Sequence, residues 1–186
     1  LTVVRELFDG RFSVKEAVDA VVHSHVLEHV YDPPGFTAAV SRLLGTGGKH
    51  IFSVPNMGAM LGRKYNNCLN FEHTVFLSEP FIDYLLRSNG FRVEKKQYFL
   101  EDHSIFYAAV RKEKFPCGAC PGEYNENRGV YMEYIRYHDK MVRDLNSRMK
   151  GHDGDIYLFG AHVFAQYLLG FGLDSSGIRC VLDNDP

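Results

Sequence analysis

Two short segments concentrate side chains that move protons near neutral pH. His23-Ser24-His25 and His29 lie within one turn-sized stretch, and Glu72-His73 follows in a segment rich in Asn and aromatic residues. An imidazole accepts or releases a proton in the physiological range, and a neighbouring carboxylate can orient it or share the proton. Asn56, Tyr65 and Asn70 add hydrogen-bonding groups that can hold a polar small molecule, and Asp183 closes an apolar run near the C-terminal end. Cys117-Gly-Ala-Cys120 has the spacing of half a zinc knuckle or of a redox pair. A structural zinc takes four ligands, and no second such pair follows, so no metal site is expected. Asp102-His103-Ser104 reads as a polar hairpin turn.

These residues need strands and helices to bring them together. Asp19 to Val22 is an apolar, β-branched run that delivers the first histidines at its carboxyl end. Asp32-Pro-Pro-Gly announces a helix whose apolar residues Ala39, Val40, Leu43 and Leu44 recur at helical spacing, and the glycines from Gly45 to Gly48 stop it. His50 to Val54 is a second buried strand, closed by Pro55-Asn56. A helix is expected from Glu79 to Ser88, then a hairpin of Phe91 to Phe99 and His103 to Val110 joined at Glu101-Asp102. Arg111 to Asn127 is rich in Lys, Glu, Pro, Gly and Asn and reads as a linker, with a long amphipathic helix after it. Asp155 to Phe159, Val163 to Leu169 and Ile178 to Leu182 then form an opening βαβ unit. The expected fold class is α/β: a partial Rossmann-like sheet over residues 1–112 with an antiparallel terminal hairpin, a linker and connecting helix over 113–150, and the start of a second Rossmann-like unit over 151–186.

Composition narrows the functions. With 45% hydrophobic residues the chain can bury a core, and a net charge of -2 provides no field to gather nucleic acid or anionic lipid. Neither a membrane span nor a leader peptide is legible, and the four cysteines are scattered, so a cytoplasmic protein with reduced thiols is expected.

The run from Asp19 to Pro33 resembles the fourth-strand motif of class I S-adenosylmethionine-dependent methyltransferases, and the likeness continues in register. Leu43 to Asn56 looks like that family's helix, glycine turn and fifth strand. Asn70-Phe-Glu-His-Thr resembles the Glu-His pair of the sugar C-methyltransferase branch, and Ile156 to Pro186 is similar to the start of that branch's C-terminal domain. The branch commonly carries a tyrosine two residues before the glutamate, where this chain has Asn70; Tyr65 is the candidate to replace it.

The resemblance implies S-adenosylmethionine as cofactor and methyl transfer to carbon of a nucleotide-linked sugar. It places a catalytic histidine at His29 and a proton-abstracting pair at Glu72 and His73, one taking the proton while the other orients it or binds a hydroxyl. His23, Ser24 and His25, at the carboxyl end of a parallel strand where α/β sheets bind ligands, are expected to contact the cofactor. The plain alternative is that they are ordinary polar residues at a strand end. Asn56, Asn70, Tyr65 and Asp183 are expected on the substrate, Asp183 standing where a ribose-binding acid sits after the incomplete glycine fingerprint at Gly160. The family's cofactor loop, a Gly-x-Gly after its first strand, is not found before Asp19, so weak cofactor binding by this polypeptide alone is expected. An open sheet edge suggests a homo-oligomer. The alternatives are a small-molecule O-methyltransferase, a non-catalytic α/β binding module and, more distantly, a nicotinamide oxidoreductase.

Overall fold

The alternating pattern folds into a sheet with helices on one face. In the computed structural model, residues 2–6, 8–9, 11–68, 72–100, 103–113 and 118–184 are described. β1 (Val18–Ser24) and β2 (Leu44–Pro55) are parallel, joined by α1 (Pro33–Leu43); α2 (Met57–Gly62) and α3 (Glu79–Ser88) follow. β3 (Phe91–Phe99) and β4 (Ser104–Arg111) form the antiparallel hairpin, and the four strands lie in the order β1-β2-β4-β3. Asp32 starts α1 by accepting the Gly35 N–H at 3.0 Å, with Pro33 and Pro34 in the first turn, where a missing N–H costs nothing.

Alternation along the strands decides what the helices cover. Phe52 and Val54 on β2 and Ile105, Tyr107 and Ala109 on β4 share one face, which packs against Val40 of α1 and Ile82 and Leu86 of α3. Val22, Ile51 and Phe106 lie on the opposite face and are exposed. One expectation needs correction. The segment Gly45 to Gly48 is not a break before the second strand, because β2 already starts at Leu44. Its pairing with β1 jumps from Val18↔Leu44 to Ala20↔Lys49, and Gly47, at φ +88, lets the chain absorb the extra residues as a bulge.

The chain divides into two units, residues 1–60 with 71–123, and residues 61–70 with 124–186. In the second, α4 (Tyr124–Lys150) buries Tyr134, His138 and Val142. It begins three residues before the expected end of the linker at Asn127, with Glu126 in its first turn, where a negative charge is favourable. β5 (Ile156–Phe159) and β6 (Ile178–Leu182) are parallel and joined by α5 (Val163–Gly170), the expected βαβ arrangement. Val142, Leu168 and Leu173 form that unit's core. No helix among the described residues is long and apolar enough to cross a membrane.

Candidate active site

Ser24 ends β1, and the next residue, His25, turns into the left-handed region at φ +50. That conformation costs a non-glycine residue roughly 1–2 kcal/mol, and such turns cluster at ligand sites. The His25 N–H still donates to the Ser53 carbonyl at 3.0 Å, so the turn is anchored to the sheet while the chain swings into a single 3-10 turn, Leu27–His29. This turn buries Glu28, whose side chain is only 5% exposed. One carboxylate oxygen, Oε1, lies 3.0 Å from His25 Nδ1 and 3.9 Å from His29 Nε2. The other, Oε2, is buried and makes no hydrogen bond among the described residues.

A second segment is tied across this turn. The Glu28 carbonyl accepts the N–H groups of Thr74 at 2.9 Å and Val75 at 3.3 Å, and the Thr74 hydroxyl at 3.3 Å. This lays residues 72–75 over the 3-10 turn and places the Glu72 carbonyl 2.8 Å from His29 Nδ1. A carbonyl only accepts, so Nδ1 carries the proton and Nε2 presents its lone pair. The His73 ring stands edge-on to that of His29, with centroids 5.1 Å apart. One ligating atom from each of Glu28, His29 and His73 lies within 4.8 Å of the others, a grouping able to hold a cation.

The polar network continues along the sheet tip. His25 Nε2 lies 3.3 Å from Ser104 Oγ, which lies 2.9 Å from His103 Nδ1, and the His103 carbonyl accepts the Asn56 N–H at 2.9 Å. Asn56 turns its side-chain oxygen to the Ala59 N–H, at 3.3 Å, in the first turn of α2. Ser24 Oγ lies 2.7 Å from Ser53 Oγ. Beside His29 a cleft of about 590 Å³ opens, lined also by Phe8, Val26, Val30, Phe36 and Arg42.

The structure thus brings together His25, His29 and His73. It sets His23 apart. That side chain faces the helix-covered side, stacked on Phe52 at 5.1 Å with its Nε2 2.9 Å from His50 Nε2. Burial pushes His23 down to about 4; burial and then the neighbouring His23 push His50 down to about 3. Both rings are neutral at pH 7, and one donates to the other. Glu72 contributes its carbonyl, while its side chain is exposed. Tyr65 and Asp183 belong to the second unit. There the Tyr65 carbonyl accepts the Tyr134 hydroxyl at 3.0 Å, and the Asp183 carboxylate accepts the Ala161 N–H in the turn after β5. Asn70 and Cys117 lie outside the described residues.

Three participants escaped the sequence reading: Glu28, His103 and Ser104. For Glu28 the signal was only its place between two candidate histidines; its burial comes from residues 72–75 laid across the turn and was not legible locally. His103 and Ser104 read as turn residues because the hairpin's location at the parallel strands' tips is a fact of topology.

Residues 5–96 match a family model described as a methyltransferase domain. No curated protein matches the chain. Among solved structures it is similar to the magnesium protoporphyrin IX methyltransferase of Synechocystis PCC 6803 with bound S-adenosylhomocysteine (SAH), at 19% identity and TM-score 0.42, covering 53% of this chain and 47% of that one. It is also similar to the N-methyltransferase NodS of Bradyrhizobium japonicum WM9 in complex with SAH, at 17% identity and TM-score 0.40, covering 56% and 50%. A third is the 1,6-didemethyltoxoflavin-N1-methyltransferase of Burkholderia thailandensis with bound 1,6-didemethyltoxoflavin and SAH, at 16% identity and TM-score 0.40, covering 59% and 48%. The chain spans about half the length of these three.

Proposed function

We propose that this chain is part of an S-adenosylmethionine-dependent methyltransferase that methylates carbon of a nucleotide-linked sugar, with His29 and His73 at the reacting centre. The observation that carries the reading is the convergence of His73 with His29, which lines a cleft just past the carboxyl end of β1, the end at which open α/β sheets bind ligands. The methyltransferase-domain match over residues 5–96 supports the same class of reaction.

The donor supplies an electrophilic methyl on a positively charged sulfur. The sheet tip fits the polar end of such a molecule: Ser24 is exposed next to Ser53, and His25 is held in its left-handed turn by the Ser53 carbonyl, with its ring on Glu28 and Ser104. These two residues would hold it. Carbon is nucleophilic only after losing a proton next to a carbonyl. His29, its Nδ1–H fixed on the Glu72 carbonyl, offers the Nε2 lone pair as acceptor, and His73 stands near enough to take the proton instead or to orient the acceptor. The electron pair of the broken C–H bond passes through the acceptor's enolate to the new C–CH3 bond, and the pair of the broken S–CH3 bond stays on sulfur. The Glu72 carboxylate and Asn56, both in the first unit, remain candidates for the sugar. β1 forms a sheet edge among the described residues, which supports pairing with a second copy.

A second reading is transfer to a hydroxyl of a less polar small molecule. It is favoured by the apolar cleft wall of Phe8, Val26, Val30 and Phe36 beside His29. Both are tested with the whole protein that carries this chain, by following radiolabelled methyl from S-adenosylmethionine into nucleotide-linked ketosugars and into small phenols. The label is expected on an acceptor carbon whose α-proton exchanges with deuterated water before transfer. Label only on oxygen selects the second reading, and no transfer to either class leaves a binding module.

A further inference from the structure

We propose that Glu28, His29 and His73 form a binding site for a divalent transition-metal ion of the zinc type, with one coordination position open to an oxygen ligand. Two imidazoles and one carboxylate with a vacant fourth position are the ligand set of an open, reactive zinc site rather than a closed structural one. The three ligating atoms already lie within 4.8 Å of one another. A tetrahedral ion with bonds of about 2.0–2.1 Å needs its ligands about 3.4 Å apart, so side-chain rotation of roughly an ångström completes the set.

Two independent features mark the site as built. Metal-binding histidines almost always donate their other ring N–H to a carbonyl or carboxylate, which fixes the tautomer and the ring direction. His29 does so through Nδ1 to the Glu72 carbonyl at 2.8 Å, leaving Nε2 free 3.9 Å from Glu28. The second feature is Glu28 itself. A carboxylate that is 5% exposed, with Oε1 toward His25 and His29 and Oε2 buried without a hydrogen bond among the described residues, is costly, since a buried charge requires compensation. A cation between Glu28 and the two histidines would supply it, and the His25 contact at 3.0 Å fixes the position of Oε1.

The ion site is read from geometry alone; a bound ion would occupy the His29 Nε2 lone pair, so the ion-loaded chain would ease loss of the α-proton by polarising the acceptor's oxygen, and the ion-free chain would use His29 as the base. Only the fourth ligand, a carbonyl or hydroxyl oxygen of the acceptor, rests on the methyl-transfer reading. Cobalt(II) titration of the chain, with no donor or acceptor present, separates the two. One ion per chain is expected, with the visible bands of a four- or five-coordinate ion, both in the native chain and with Cys117→Ser and Cys120→Ser together. His29→Ala, His73→Gln and Glu28→Gln are each expected to weaken binding by more than about a hundredfold, beyond the roughly 10–100-fold loss typical of removing an outer partner. In the unsubstituted chain, which needs no variant to fold, cobalt should broaden the ring resonances of His29 and His73 and spare that of His152. No bound ion, an ion that departs with the cysteines, or broadening centred elsewhere would each overturn the site and leave methyl transfer standing. Failure of transfer with an intact cobalt spectrum would do the reverse. Adding a nucleotide-linked ketosugar should shift the bands; unshifted bands remove the acceptor as fourth ligand and keep the ion.

Discussion

His23 and His50 form one imidazole pair, His29 and His73 another, and the two pairs differ more than their spacing in the sequence suggests. His23 and His50 sit within paired strands, their rings packed on Phe52 and, for His50, also Phe91 on the helix-covered face, and burial keeps both uncharged. His29 lies six residues beyond His23, past the left-handed turn at His25, and its ring meets His73 beside an open cleft. Position along the strand decides the role. Within the ladder, alternation sends a side chain into the core; past its end, the backbone is released to aim side chains at a ligand.

The largest effect that can break this contrast is on turnover. His73→Ala in the whole protein is expected to lower kcat about 10²–10⁴-fold, the usual contribution of a positioned acid or base. Urea unfolding should show little change, because the His73 side chain is only partly buried. Equal turnover in His73→Ala and the parent would remove His73 from the chemistry, and equal turnover in His29→Ala as well would remove the pair.

His50→Ala should do the opposite. The His50 ring is 1% exposed, so its loss leaves a cavity beside Phe52 and Phe91 and strips His23 Nε2 of its partner. A loss of stability on the order of 3 kcal/mol is expected from denaturant titration. A variant as stable as the parent would show that His50 is not a core residue.

Acid sharpens the comparison further. The unfolded chain protonates these imidazoles near their ordinary value of 6.5, whereas the folded chain resists until about 4 for His23 and about 3 for His50. Between those limits the unfolded state binds more protons, so stability is fully present above pH 6.5 and is lost as pH falls. Each ring contributes a loss of roughly 2 kcal/mol by about pH 5. Unfolding free energy that stays flat from pH 7 to pH 5 would contradict the neutral pair.

Much of this was legible before the structure. The α3 helix and the β3 and β6 strands match their expected bounds because flanking glycines and proline mark their ends and apolar periodicity fills them. The convergence of His29 with His73 was implied by family likeness, and the turn at Glu28 now gives it a physical cause. The placement of His23 was not legible. Its neighbours Ser24 and His25 are at the tip, and a strand that runs to Ser24 rather than stopping at Val22 moves His23 into the ladder. Buried Glu28 was equally hidden, since nothing in local sequence says that a surface-type residue will be covered by a segment more than 40 positions away.

The smallest expected effect is the most discriminating. Replacing His23 and His50 together, His23→Phe with His50→Leu, removes donor and acceptor at once and strands neither partner of the pair. Such paired replacements by apolar groups of similar shape are close to neutral. It also removes the two ring nitrogens, His23 Nδ1 and His50 Nδ1, that are buried without partners. At pH 7 the double variant should therefore unfold within about 1 kcal/mol of the parent, far less than His50→Ala alone. Below pH 6.5 it should become the more stable of the two, because its core no longer contains groups that the unfolded chain protonates and the folded chain cannot. Circular dichroism during urea titration at both pH values measures this crossing. Parallel pH curves for parent and double variant would show that the acid-sensitive groups lie elsewhere, and that the two imidazole pairs do not divide between core and site.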